Sequence, residues 1–198
     1  MPAREGRRNS RQNFCAPRFP CMEFAGQCSP AYRFVFEMPR NLVLRRSPIH
    51  GNGVFAARDL PHGTRLIEYR GTLRSHDDVD DCYGGDYESG HTFLFTLNDE
   101  YVIDANVKGN IARWINTSCD PNCEAVIVED GKGRRDKDRI FIETIKPVRA
   151  GEELTYDYGI TLDEAHTPRL RKIWACRCGK ANCTGTMLRP KRPRAKAK

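Results

Sequence analysis

Gly109-Asn110-Ile111-Ala112-Arg113-Trp114-Ile115-Asn116-Thr117-Ser118-Cys119-Asp120-Pro121-Asn122-Cys123 is the stretch around which this chain is organised. It follows a short apolar strand signal, Tyr101 to Ala105, and crowds amides, a guanidinium, hydroxyls and two thiols around one proline. A core segment avoids such a mixture, because each polar group must find a partner once buried. A site wants it, since it offers hydrogen bonds in several directions and a soft metal ligand. Sulfur partners for Cys119 occur more than fifty residues later, in Cys176-Arg177-Cys178-Gly179-Lys180-Ala181-Asn182-Cys183, which would tie the middle of the chain to this later segment.

At 198 residues and 39% hydrophobic, the chain has room for one domain with short additions. No apolar run approaches the roughly 20 residues that a membrane helix needs, and the N-terminus lacks the apolar stretch of a secretory signal. A soluble, intracellular protein without a membrane partner is the expectation. Nine cysteines, three of them in a Cys-x-Cys-x-x-x-x-Cys cluster, fit a metal site better than a disulfide framework, and so a reducing compartment. The net charge of +7 is confined to the ends: from Met38 to Leu188, 21 Lys and Arg face 23 Asp and Glu, a net of −2. A DNA-binding zinc protein needs a basic face, which this middle does not supply. Residues 190–198 carry no acid and no large apolar side chain, and read as a basic disordered tail capable of weak nucleic-acid contact.

Working outward from the central stretch, strand and turn signals dominate. Asn41 to Leu44, Val54 to Ala56, Arg65 to Tyr69, Thr92 to Leu97, Glu100 to Ile103, Ala125 to Val128 and Arg139 to Thr144 read as strands. His50-Gly51-Asn52-Gly53 and Pro61-His62-Gly63 read as turns, and Glu129 to Asp138 as a charged hairpin loop. Residues 75–90 form an acidic insert, partly helical at most. After the turn Val148 to Glu153, Leu154 to Gly159 reads as a last strand. Residues 161–173 connect it to the cysteine cluster, and Asp163 to Trp174 gives the one good helix signal. Residues 1–40 lack periodicity and predict a poorly ordered extension, with Cys15, Cys21 and Cys28 as free thiols; Met38 would also serve as a start.

Four motifs in order, Gly51 to Ala56, Gly109 to Asn122, Gly151-Glu152-Glu153-Leu154-Thr155-Tyr156-Asp157-Tyr158, and Cys176-x-Cys178 with Cys183, resemble a SET-domain protein-lysine methyltransferase with a post-SET zinc segment. The likeness covers about residues 42 to 188. It implies a mostly β fold, the β-clip of small curved sheets with a C-terminal pseudoknot and few short helices. Residues 41–160 would be the SET domain and 174–189 the post-SET segment. Leu154 to Tyr158 would slide beneath Arg113 to Cys119, with S-adenosylmethionine entering from one face and the substrate lysine from the other.

The resemblance also assigns roles. Asn52 and Gly53 would lie against the cofactor's amino-acid end, where a residue without Cβ permits close approach. The Asn116 side chain would bind the cofactor's ammonium or nearby carbonyls, Thr117 would recognise the adenine through its backbone, and Arg113 completes the trio. Thr117 stands where histidine is usual. Trp174 would cover the adenine or simply pack. Tyr158 and Tyr69 would orient the lysine nitrogen, and Tyr156, where the family carries Phe or Tyr, would favour mono- or dimethylation. Phe93 replaces a commoner Tyr. Cys119, Cys176, Cys178 and Cys183 would hold a structural zinc, with Cys123 as the competing ligand. A lysine-rich basic protein, a histone tail or a nucleoid protein, is the implied partner of a monomeric enzyme, in the nucleus of a eukaryote or host or in a bacterial cytoplasm. The competing reading is a catalytically weak SET-fold module that binds basic peptides.

Overall fold

The computed structural model describes residues 39–83, 93–162 and 164–190. Expectations for the N-terminal extension with Cys15, Cys21 and Cys28, for Asp86 and Glu88 of the acidic insert, and for residues 191–198 lie outside the described residues. The described strands are short: β1 (Leu42–Arg46), β2 (Asn52–Ala56), β3 (Arg65–Glu68), β4 (Thr72–Ser75), β5 (Leu94–Thr96), β6 (Tyr101–Asp104), β7 (Asn116–Thr117), β8 (Cys123–Val128), β9 (Arg139–Thr144) and β10 (Thr155–Tyr156). Two helices accompany them, α1 (His76–Tyr83) and α2 (Pro168–Ile173).

Strands this short cannot build one large sheet. They form four small ones, the antiparallel pair β1-β2, the three-stranded sheets β3-β9-β8 and β4-β6-β5, and the parallel pair β10-β7. In β9 the side chains alternate, with Ile140, Ile142 and Thr144 buried, as the period of two requires of a central strand. Val54 and Ala56 of β2 do the same, and with Leu97, Ile115, Leu154 and Val148 they make one core under the small sheets. Fully burying a side chain such as Leu154 is worth about 1.5–3 kcal/mol. A second cluster, Leu170, Trp174 and Leu188, packs with Ile160, Leu162, Ile173 and Met187.

Helix extents differ from the sequence expectation, for local reasons. The helix expected over Asp163 to Trp174 is confined to Pro168–Ile173. Thr167 caps it by accepting from the Leu170 N–H, and Pro168 follows at once. Proline disfavours helical geometry in the residue before it, so the helix cannot begin earlier. The longer helix is α1, inside the acidic insert, where Ser75 Oγ accepts from the Asp78 N–H and Asp77 and Asp78 sit at the end that favours negative charge. The final strand shrinks from Leu154–Gly159 to Thr155–Tyr156, because Asp157 Oδ1 accepts from the Gly159 N–H and Gly159 turns the chain at φ +62.

Candidate active site

The parallel pairing of β10 with β7 sets Thr155 opposite Asn116 and Tyr156 opposite Thr117. Two residues of ladder would be weak alone, and the neighbouring side chains extend it. The Asn122 amide donates to the Glu153 carbonyl at 2.8 Å and accepts from the Thr155 N–H at 2.8 Å, imitating one more strand partner. Ser118 N–H donates to the Tyr156 carbonyl, and Thr117 Oγ1 accepts from the Tyr158 N–H. The central stretch and the later Glu153–Tyr158 segment are thus clamped together.

At one end of the clamp lies a corner rich in acceptors. Asn116 Nδ2 points at the His50 carbonyl (3.2 Å), the Asn52 carbonyl (3.0 Å) and Glu153 Oε1 (2.8 Å). Two amide protons face three acceptors, so acceptor capacity is left over. Among the described residues nothing donates to the Asn116 Oδ1. Glu153 Oε1 further accepts from Ser47 Oγ at 2.7 Å. Gly53 owes its missing Cβ to this carboxylate: a Cβ there would lie 2.3 Å from Glu153 Oε1.

Below the clamp opens a cavity of about 650 Å³, whose lining includes Tyr69, Phe95, Arg113, Tyr156 and Tyr158. The rings form a chain: Tyr69 to Phe95 at 5.2 Å, Phe95 to Tyr156 at 6.0 Å, and Tyr156 to Tyr158 at 4.9 Å between centroids. Tyr158 donates its hydroxyl proton to the Ile115 carbonyl at 2.9 Å, and Tyr69 donates to the Phe93 carbonyl at 3.1 Å. Each phenol therefore spends its one proton on the backbone, and its oxygen lone pairs remain acceptors. Burial raises the pKa of all three tyrosines, with the nearby Glu153 adding to the effect at Tyr158, and Tyr158 and Tyr69 adding to it at Tyr156. These phenols therefore stay neutral around neutral pH.

The remaining expected residues fall in two places. Arg113 lines the same cavity, stacked on Phe93 (4.8 Å) and Trp114 (4.6 Å), and donates to the Ala105 carbonyl at 2.8 Å. Phe93 in turn meets Trp114 edge-on, so the missing hydroxyl leaves a packed wall. Trp174 does not line this cavity; it is buried in the second cluster, and its Nε1 has no hydrogen-bond partner.

Cys119, Cys176, Cys178 and Cys183 converge, their sulfurs all within 4.8 Å of one another. Cys119 Sγ lies 3.7 Å from Cys176 Sγ and 3.8 Å from Cys183 Sγ. A tetrahedron with metal–sulfur bonds of about 2.3 Å has edges of about 3.8 Å, so the four thiols fit a zinc ion. Burial pushes the Cys178 thiol up, but N–H groups of Cys119 and Lys180 with the neighbouring thiols outweigh it and bring the pKa to about 6. Cys123 is excluded from the set: it begins β8 facing the core, fully buried, and burial raises its thiol to about 12. Sequence reasoning missed Glu153 and Asn122 as organisers of the site. Both lay inside quoted motifs, but Glu153 read as part of a turn.

The sequence pattern of the SET domain matches residues 51–159. The chain is 40% identical over 151 residues to histone-lysine N-methyltransferase trr of Drosophila melanogaster, covering 74% of this chain and 6% of that protein. It is 39% identical over 165 residues to histone-lysine N-methyltransferase 2D of Homo sapiens, covering 81% of this chain and 3% of that one. Against the H3 lysine-4 specific histone-lysine N-methyltransferase of Saccharomyces cerevisiae the identity is 39% over 147 residues, with 73% and 13% covered. The chain thus spans only a small fraction of the length of these relatives. Among solved structures, KRYPTONITE in complex with mCHH DNA, H3(1-15) peptide and SAH superposes with a TM-score of 0.60 at 33% identity, covering 74% of this chain and 29% of that one.

Proposed function

The chain belongs to the SET-domain family, and from that premise we propose that it transfers a methyl group from S-adenosylmethionine to the side-chain nitrogen of a lysine in a basic, histone-like protein. One observation carries the reading. Three phenols line one cavity, and two of them, Tyr69 and Tyr158, have hydroxyl protons committed to backbone carbonyls, which leaves oxygen lone pairs facing the guest. Methyl transfer is an in-line displacement, so a site helps chiefly by aligning a neutral amine and excluding water. Tyr158 and Tyr69 accept from the amine N–H groups and hold its lone pair along one direction. Neither phenol is the base; the lysine proton leaves to water.

The acceptor corner suits the ammonium of an amino-acid group. Asn116 Oδ1 and the Asn52 carbonyl would take its protons, while Gly53 leaves room for the Glu153 carboxylate that orients Asn116. The orphaned Trp174 N–H supports a ligand acceptor nearby, and Arg113 and the backbone of Thr117 complete the set. When bound, S-adenosylmethionine supplies an activated methyl on a sulfonium. Zinc on the four cysteines would pin residues 176–183 to Cys119 and so to the clamp.

Tyr156 lines the cavity, and a hydroxyl there would compete for the space of a methylated amine; mono- or dimethylation is the product we propose. The SAH- and H3-peptide-bound neighbour and the histone-methyltransferase relatives support a histone tail as substrate, and chromatin in a nucleus as the place of action. The test is mass spectrometry of core histones and small basic nucleoid proteins after incubation with labelled S-adenosylmethionine and the zinc-loaded protein. Lysine methylation that disappears with Tyr158→Phe is the expected result. No incorporation by a protein that binds both zinc and cofactor would overturn it in favour of peptide binding without turnover.

A further inference from the structure

One charge in the cavity has no partner of opposite sign. The Arg113 guanidinium lines the same space as Tyr69, Tyr156 and Tyr158. The rings of Phe93 and Trp114 hold it, 4.8 and 4.6 Å from Cζ to the centroids, and Nη1 donates to the Ala105 carbonyl at 2.8 Å. Among the described residues no carboxylate pairs with it. Asp104, one residue before that carbonyl, is fully buried and committed elsewhere: its Oδ2 accepts from Arg74 Nε at 2.8 Å and from the Tyr83 hydroxyl at 2.9 Å. Asp157, also in the lining, pairs with Arg189 at 2.8 Å. Glu124 lines the cavity too, but is exposed to solvent and salt, which screen it. The remaining titratable lining is neutral, since burial raises the three phenols and the Cys123 thiol. Arg113 itself stays cationic, as arginine does in proteins.

Resting on the lysine-methyltransferase reading, we propose that Arg113, besides its place in the cofactor set, discharges the substrate: its fixed positive charge favours the neutral amine over the ammonium inside the cavity. The reaction needs such a group. A lysine in water has a pKa of about 10.4, so at neutral pH only roughly one in a few thousand carries a free lone pair. A like charge close by lowers that pKa, because it penalises the ammonium and leaves the amine untouched. Neutral phenols cannot do this. The ammonium passes one proton to water, and the nitrogen lone pair then forms the C–N bond. The methyl C–S bond breaks with its electron pair left on sulfur, which gives a methylammonium and S-adenosylhomocysteine.

The test compares two pH profiles at saturating S-adenosylmethionine with core histones as substrate: kcat, which reports groups in the complex, and kcat/KM, which reports the free lysine. Arg113→Met should move the ascending limb of kcat to higher pH by about one unit and leave the limb of kcat/KM in place. Arg113→Lys, still cationic, should keep both. A merely structural role would lower rates at every pH without moving a midpoint, so an unmoved kcat limb in folded, zinc-loaded Arg113→Met overturns the inference. A second arm needs neither turnover nor a variant. Calorimetry at pH 8 in two buffers of different ionisation enthalpy counts the protons released when the parent binds a histone H3 peptide or the same peptide with norleucine for lysine. The lysine peptide should release up to one proton more. Equal release would show that the cavity takes the ammonium, and overturns the inference. Release of that proton without methylation of any histone sinks the methyltransferase reading alone, and silence in both arms sinks the two together.

Discussion

Asn116→Ala separates the two duties given to that residue. In the fold, its Nδ2 serves the His50 carbonyl, the Asn52 carbonyl and Glu153 Oε1 at 3.2, 3.0 and 2.8 Å. Each of its two protons contributes about 0.5–1.5 kcal/mol net, so their loss costs about 1–3 kcal/mol. At roughly 2–4 °C per kcal/mol for a chain of this size, the melting temperature should fall by about 2–12 °C. In the proposed binding, Oδ1 would accept from a charged ammonium, an interaction worth about 1.5–3 kcal/mol. That is a weakening of roughly 10- to 150-fold. Calorimetry with S-adenosylhomocysteine, on protein shown by circular dichroism to be folded, reads the loss. The control ligand is 5′-methylthioadenosine, which lacks the amino-acid end and should bind parent and variant alike. Equal weakening for both ligands would refute the reasoning, because it would mean that Asn116 only shapes the pocket.

Tyr158→Phe should lower turnover at least about 100-fold through lost alignment, with S-adenosylhomocysteine affinity retained. The pH midpoint of its residual activity should not move, because burial holds the Tyr158 phenol neutral well past neutral pH and the titrating group is the substrate amine; a shifted midpoint would make the phenol the base. Tyr156→Phe should raise the proportion of higher methylation states in product mass spectra, and an unchanged distribution would end the assignment of Tyr156 as the switch. Cys176→Ser should abolish zinc at one equivalent by metal analysis and lower the melting temperature, with a change in Trp174 fluorescence as its cluster loosens; full zinc content and unaltered emission would mean that the four sulfurs are not the ligands.

Much of this was legible in residue order because the strands carry it. The alternation Ile140, Ile142, Thr144 marks β9 whatever surrounds it, and three thiols with the spacing of Cys176, Cys178 and Cys183 suggest a metal on their own. Extents were less legible, since capping decides them: Thr167 and Pro168 cut the expected helix in half, and Ser75 starts another among acidic residues. Cys123 could not be separated from Cys119 by spacing. Only the inward face of β8, against Thr144, removes it from the metal site. Glu153 was hidden for a related reason: its partners Ser47 and Asn116 lie 106 and 37 residues away, a relation that local pattern does not carry.

The clamp between β7 and β10 has a consequence for how the gene product can fail. The ladder partners of Asn116 and Thr117 arrive only with Thr155 and Tyr156, and Cys119 acquires its own only with Cys176 and Cys183. Contacts between residues so far apart form late, after the local hairpins. During synthesis most of the hairpins should therefore form before the four-cysteine site can close at Cys183. A chain truncated upstream of Thr155 would leave the edge of β7 without its ladder partner, exposed for quality-control proteases to find.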